Sequence, residues 1–275
     1  MLVAINIGSA IWDVRSAREL TERKAQRDFS NMTRLLAEQT AASLDSVDLI
    51  LRAIQSKGAA EVIGIESKLR DELVRIPHIA SLTVLDAHGR VVVTRVSEVP
   101  SYNPEVPEQP YFAAHREGKP GELRLSEPYR VAPGGQWRVV LSRRLSDAHG
   151  GFDGVVAAAI DLEAFDRLYR AIDLGGGGFI TLLSDRGTLL TRVPDPGNVR
   201  GRKFPGGTIM KGVERQGRFD GWTTSPITED RVLLATSAVR GFPLLAASGS
   251  NESAVFAAGR EEGWMIFDPT LRDYG

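Results

Sequence analysis

The segment WRVVLSRRL, residues 137–145, carries three arginines and one serine among apolar residues. Read as a strand, its period of two puts Trp137, Val139, Leu141 and Arg143 on one face and Arg138, Val140, Ser142 and Arg144 on the other. A guanidinium at the edge of an apolar pocket makes a good carboxylate clamp. The spacing does not say which face looks into a pocket, and solvated arginines flanking an ordinary strand are the plain alternative. Arg143 is taken as the clamp, with Trp137 as wall. Upstream, YFAAHREG (111–118) offers Tyr111 and Phe112 as apolar wall and His115 as a titratable group, and Tyr129 closes the same aromatic stretch. Downstream, Asp161 ends the small-residue strand GVVAAAID and starts a helix, where a carboxylate serves as N-cap.

Other chemistries find little footing. The four histidines, His78, His88, His115 and His149, form no HExxH or HxH pair, so no metal is expected. His88 and His149 lie in Asp-Ala-His-Gly turns, where exposure is expected. There are no cysteines, which excludes thiol catalysis and Cys-ligated metal, and which suits an oxidising compartment. The glycine run 175–178 lacks the spacing and lysine of a phosphate loop and reads as a flexible join. No Gly-x-Ser-x-Gly elbow is present. Glu261 and Glu262 are adjacent on a helix and point apart. The net charge of −1 gives no basic excess for nucleic acid. No cofactor and no enzymatic activity are expected. A hydrolase stays as an alternative that a nucleophile within hydrogen-bond reach of His115 would favour.

The elements that must position these residues are legible in outline. The chain has 275 residues with 42% hydrophobic and 25% charged content, ordinary for one large or two smaller globular domains. Residues 2–12 form an uncharged apolar run too short to span a bilayer, read as the remnant of a transmembrane helix (1–12) or as a buried helix start. Asp13 to Gln55 lack Pro and Gly and predict one long helix (segment 13–57), about 60 Å long. Its seam of Phe29, Met32, Leu36, Thr40, Ser43, Val47, Ile50 and Ile54 exceeds a small domain, so part of it is expected to meet a second subunit; the alternative is a helix covering its own domain. A shorter helix is expected over 61–75.

Beyond it, three segments recur in order. TVLDAHGRVVV (83–93) matches TLLSDRGTLLT (181–191), WRVVLSRRL (137–145) matches RVLLATSAV (231–239), and GFDGVVAAAIDLEAF (151–165) matches GFPLLAASGSNESAVF (241–256). The first pair has a hairpin signature. The period near 95 residues is too long for a solenoid and argues for two copies of one domain. Between the first and second signals each copy carries a long irregular stretch, 97–135 and 194–230, of the kind that commonly builds a site.

The segments 111–118, 126–131, 141–165 and 241–256 together resemble the double-Cache periplasmic sensor regions of bacterial histidine kinases and diguanylate cyclases. The resemblance covers about residues 18–262. It implies an α+β chain with a long N-terminal helix and two tandem PAS-like domains with antiparallel sheets: membrane-distal over 58–170, membrane-proximal over 171–256, and a C-terminal helix end and tail over 257–275. It further implies an extracytoplasmic location, membrane attachment through flanking helices, a homodimer, and a ligand in the distal domain that signals through the long helix. Output domains of the kinase or cyclase type are absent from this sequence. In amino-acid-binding members an Asp at the place of Asp161 holds the ligand ammonium, and an Arg-x-Trp-Tyr element precedes the helix. Here Gln109 stands at that Arg, with Tyr111 and Phe112 at the aromatics, which favours an organic acid or another polar metabolite at least as much as an amino acid. A binding protein without signalling output is the remaining alternative.

Overall fold

A computed structural model of the chain describes residues 2–56, 78–96, 110–119, 121–131 and 135–257. Helix α1 runs Leu2–Gln55, 54 residues, or about 80 Å. Residues 2–12, expected as the remnant of a transmembrane helix or as a helix start, are helical and continuous with the predicted long helix. Among the described residues no helix is long and apolar enough to cross a membrane. The expected helix over 61–75, much of the irregular stretch (97–109) and the tail after 257 lie outside the described residues.

Two antiparallel sheets follow α1. The first is built from β1 (Ile79–Asp86), β2 (Val91–Val96), β3 (Leu123–Leu125), β4 (Tyr129–Arg130), β5 (Trp137–Ser146) and β6 (Phe152–Asp161), in the order β2-β1-β6-β5-β3 with β4 also on β5. The second uses β7 (Gly178–Ser184), β8 (Leu189–Val193), β9 (Asp220–Thr224), β10 (Arg231–Val239) and β11 (Leu244–Asn251), in the order β8-β7-β11-β10-β9. The strand paths are the same. The three recurring segments are β1–β2 with β7–β8, β5 with β10, and β6 with β11. Short helices α2 (Pro110–Glu117) and α4 (Thr208–Gln216) occupy corresponding places in the chain, and α3 (Leu162–Arg170) follows β6 as the helical residues 252–257 follow β11.

The repeated hairpin has a local cause. In the β1–β2 turn, Asp86 Oδ1 accepts from the backbone N–H of His88 and Arg90 at 2.8 and 2.9 Å, and Gly89 supplies φ +80°. In the β7–β8 turn Ser184 Oγ takes the N–H of Thr188 at 3.0 Å and Gly187 supplies φ +79°. His88 and His149 are exposed in their turns.

The seam of α1 lies on the chain's own two sheets. Leu36, Val47, Ile50 and Ile54 are buried in one continuous core with β1, β5, β6, β7 and β11. The residues expected to face a second subunit are therefore largely covered within this chain. A helix this long can do so because two domains, not one, lie along it. Its outward side carries the exposed Leu20, Leu35 and Leu49. Polar pairs are set at intervals in the buried seam. Thr33 Oγ1 lies 2.6 Å from Ser248 Oγ of β11, Thr40 Oγ1 lies 2.8 Å from the Tyr169 hydroxyl of α3, and Asp48 pairs with Arg143 of β5. Each must be satisfied once buried, so each fixes the helix in register along the sheets.

Candidate ligand-binding site

The register of β5 against β6 sorts the first sheet into two faces. Arg138 stands opposite Asp161, Val140 opposite Ala159, Ser142 opposite Ala157 and Arg144 opposite Val155. The alternate residues Val139, Leu141, Leu145, Val156, Ala158 and Ile160 pack in the core with α1. Arg143 belongs to that helix-facing set. Its Nε and Nη2 donate to Asp48 at 2.5 and 2.9 Å, and its Nη1 donates to the Gly121 carbonyl at 2.7 Å. The assignment of Arg143 as ligand clamp is corrected accordingly: its fork is already filled by a buried carboxylate. Asp48 is held below the usual carboxylate range, since burial would raise it but the hydrogen bonds from Arg143 and Arg52 outweigh that.

Trp137 shares that parity and also leaves the candidate pocket. Its ring packs on Gly201 in the loop after β8, where an added Cβ would stand 2.8 Å from it, and the Arg130 guanidinium lies 5.0 Å from its centroid. Trp137 is a joint between the two sheets rather than a pocket wall.

Helix α2 covers one end of the opposite face. Phe112 packs on Leu85 and Val155, with Tyr111 and Phe152 beside it. His115 is fully buried, and its Nε2 lies 2.9 Å from Ser142 Oγ. Arg144 Nη1 donates to the carbonyls of His115, Arg116 and Gly118 at 3.0, 3.2 and 3.3 Å, closing the C-terminal end of α2 where the helix leaves acceptors unpaired. The histidine does reach a hydroxyl, but both side chains are 0% exposed, and Nδ1 has no partner among the described residues. Burial, and secondly the nearby Arg124, push His115 down to about 4. Among the described residues no carboxylate bonds this histidine, and the buried Ser142–His115 contact anchors α2 to the sheet.

Beyond α2 the same face carries a row of mostly small side chains, Val140, Ala157, Ala159 and Ser81, the last paired with Ala159, and the first three of them are buried. At its far end stand Tyr129 and Arg138, paired across β4 and β5, and Asp161 directly across from Arg138. From Ala157 to Asp161 the strand rises about 13 Å. Arg138 and Asp161 do not close an ion pair, and Arg138 Nε is buried without a hydrogen-bond partner among the described residues. Burial pushes the Tyr129 hydroxyl up, against the opposing effect of Arg138.

Asp161 is also the N-cap of α3: its Oδ1 accepts the Glu163 N–H at 3.0 Å. Glu163, which the sequence reading did not single out, is pushed up to about 7 by burial and by the neighbouring Asp161 carboxylate. From the second sheet's side, Arg200 reaches Glu163 at 3.5 Å and bonds Asp166, which also accepts from Thr191. Arg130 donates to Asn198 at 2.8 Å across the same join. Asp161 is thus about one helical turn from the contacts that hold the two sheets together. The structure brings Tyr111, Phe112, His115, Tyr129 and Asp161 to one face and sends Arg143 and Trp137 to the other; Arg138 stands on the first of these faces, opposite Asp161.

An α+β chain with two PAS-like sheets strung on one helix has the architecture of a tandem sensor module. The chain belongs to the Cache domain family: dCache_1 matches residues 15–258. No curated protein matches it. Among solved structures it is similar to the extracellular domain of rpHK1S-Z16, described as a candidate histidine kinase, at 28% identity and TM-score 0.72, over 86% of this chain and 98% of that one. It shares its fold with the periplasmic sensory domain of the Campylobacter jejuni chemoreceptor Tlp1, at 12% identity and TM-score 0.69 over 86% and 98% of the two chains. It also shares it with the ligand-binding domain of the Pseudomonas fluorescens chemoreceptor CtaA in complex with L-isoleucine, at 16% identity and TM-score 0.60 over 88% and 98%.

Proposed function

We propose that this chain is the extracytoplasmic ligand-sensing module of a transmembrane receptor, with the first domain (58–170) taking a small polar metabolite and the second (171–256) passing the response on. The observation that carries the reading is the row of residues on the outer face of the first sheet, which we take as the floor of a ligand trough. The row ends in Arg138 and Asp161, which stand opposite each other without an ion pair: Arg138 donates through Nη2 to Gln136 at 3.2 Å and keeps Nε unpartnered among the described residues, and Asp161 uses Oδ1 to cap α3. A ligand with a carboxylate for Arg138 and a hydrogen-bond donor or ammonium for Asp161 would satisfy both. Organic acids bearing a hydroxyl or amino group fit this demand, and the L-isoleucine held by CtaA is one such molecule.

The route outward follows from the same residues. Asp161 caps α3, whose Glu163 and Asp166 meet Arg200 of the second domain, and whose Tyr169 meets Thr40 of α1. A ligand drawing on the Asp161 carboxylate therefore bears on both the join and the long helix. A swing of a two-state receptor from 1:99 to 99:1 needs about 5.5 kcal/mol of differential affinity. The exposed Leu20, Leu35 and Leu49 on the outer side of α1 are where a second subunit would read the shift.

A thermal-shift screen of the whole chain against amino acids and small organic acids tests the reading. A hit at a hundred times its Kd adds about 2.7 kcal/mol of stability. The expected result is a hit that disappears in Arg138→Gln and in Asp161→Asn. A hit that persists in both variants refutes the trough as its site.

A further inference from the structure

The second sheet bounds a partly open cavity of about 200 Å³ between β7, β8, α4 and the loop 225–227. Its walls are apolar, among them Phe179, Leu183, Val232, Leu234, Met210 and Ile227. Into these walls the fold sets one charge, Arg192 of β8, which is only 7% exposed. Its Nη1 donates to Thr181 Oγ1 at 3.1 Å, its guanidinium lies 4.1 Å from the centroid of Phe179, and its Nε has no hydrogen-bond partner. No carboxylate pairs with it among the described residues. Burying a guanidinium without a counter-ion is costly, and a hydroxyl and an aromatic face offset only part of that cost. Burial pulls its pKa down to about 10, with Asp195 opposing, so it stays protonated near neutrality. The same cavity is lined by Gly207 and Thr208 at the start of α4, and Gly207 gives that helix no side-chain cap. Unpaired backbone N–H groups of a first helical turn favour an anion.

We propose that the second domain carries a ligand site of its own, in which a small carboxylate with a short apolar body places its charge on Arg192 and its hydrocarbon against Phe179 and Leu234. The volume lies below the roughly 300–1,000 Å³ of sites for drug-sized molecules, which restricts the occupant to a short chain. The walls offer a second charge nothing to pair with, so a monocarboxylate is selected over a dicarboxylate or a zwitterion. That distinguishes this cavity from the trough of the first sheet, where a cation and an anion stand together. A chain with both sites could integrate two metabolite signals along one helix.

The test is a thermal-shift titration of the whole chain with isovalerate and hexanoate, with isoamyl alcohol as the uncharged control. The carboxylates are expected to raise Tm by several degrees at saturating concentration, and the alcohol to leave it unmoved. Arg192→Met removes an uncompensated buried charge, so it should fold with an unligated Tm no lower than wild type and lose the response. Ala247→Leu, which fills the cavity and keeps the arginine, should also lose it, while Arg138→Gln should keep it. No response in the folded wild type, or a response that survives both Arg192→Met and Ala247→Leu, overturns the proposal. A response lost in Arg138→Gln alone overturns it too, and assigns the carboxylate to the first sheet.

Discussion

Asp48, about two turns before the C-terminal end of the long helix, and Arg143 of β5 form a two-point ion pair with both side chains at most 7% exposed. The pair ties the helix to the first sheet at a depth where neither charge can turn to water. Breaking such a pair from one side leaves the other charge stranded, whereas replacing both with apolar groups of similar volume is tolerated. Asp48→Ala should therefore cost about 3–5 kcal/mol. Asp48→Leu with Arg143→Met should recover most of that loss. Urea unfolding of the two variants beside wild type measures both.

The buried His115 predicts an acid-sensitive window. Its folded value is about 4 against 6.5 for a free imidazole. A base held down in the folded state is protonated first in the unfolded chain, so its contribution is complete above 6.5 and is lost as pH falls toward 4. The shift corresponds to about 3 kcal/mol over that window. Stability measured by urea at pH 7 and pH 4.5 should fall less in His115→Gln than in wild type, because the amide cannot titrate.

Glu163 behaves in the opposite sense. Its folded value of about 7 lies above the usual 4.5, so the unfolded chain releases its proton first and stability falls as pH rises between those values. The side chain is 34% exposed, which cuts an upper bound near 3 kcal/mol to on the order of 1 kcal/mol. Glu163→Gln should be more stable than wild type at pH 8 and no more stable at pH 4, as thermal melts at the two values would show.

The duplication was legible because its signals are local. Turns with Asp86 or Ser184 at the corner and Gly89 or Gly187 at positive φ repeat within a few residues, and the small-residue strands β6 and β11 repeat as runs. Facing was not legible. Period two grouped Arg138 with Arg144 and set Arg143 apart, but the side on which α1 lies depends on Asp48, 95 residues away. Trp137 was misplaced for the same reason, since its neighbour Gly201 comes from the second copy. The Arg192 cavity left no trace in the sequence reading because its walls come from β7, β8, α4, β9, β10 and β11 together. Asp161 shows the limit of a residue-type argument: the carboxylate that caps α3 also stands opposite Arg138 on the outer face of the sheet, and residue type does not separate the cap from the proposed ligand contact.

The most direct test of the account is in the methyl groups of the β6 alanines. Ala157 and Ala159 lie on the face of the proposed ligand site, while Ala158 between them packs in the core with α1 on the other face. With alanine methyls labelled, titration with the polar metabolite that scores in the thermal screen should shift the resonances of Ala157 and Ala159 and leave that of Ala158 nearly still. Shifts confined to Ala246 and Ala247 of β11, with Ala157 and Ala159 unmoved at saturation, would contradict ligand recognition by the first sheet.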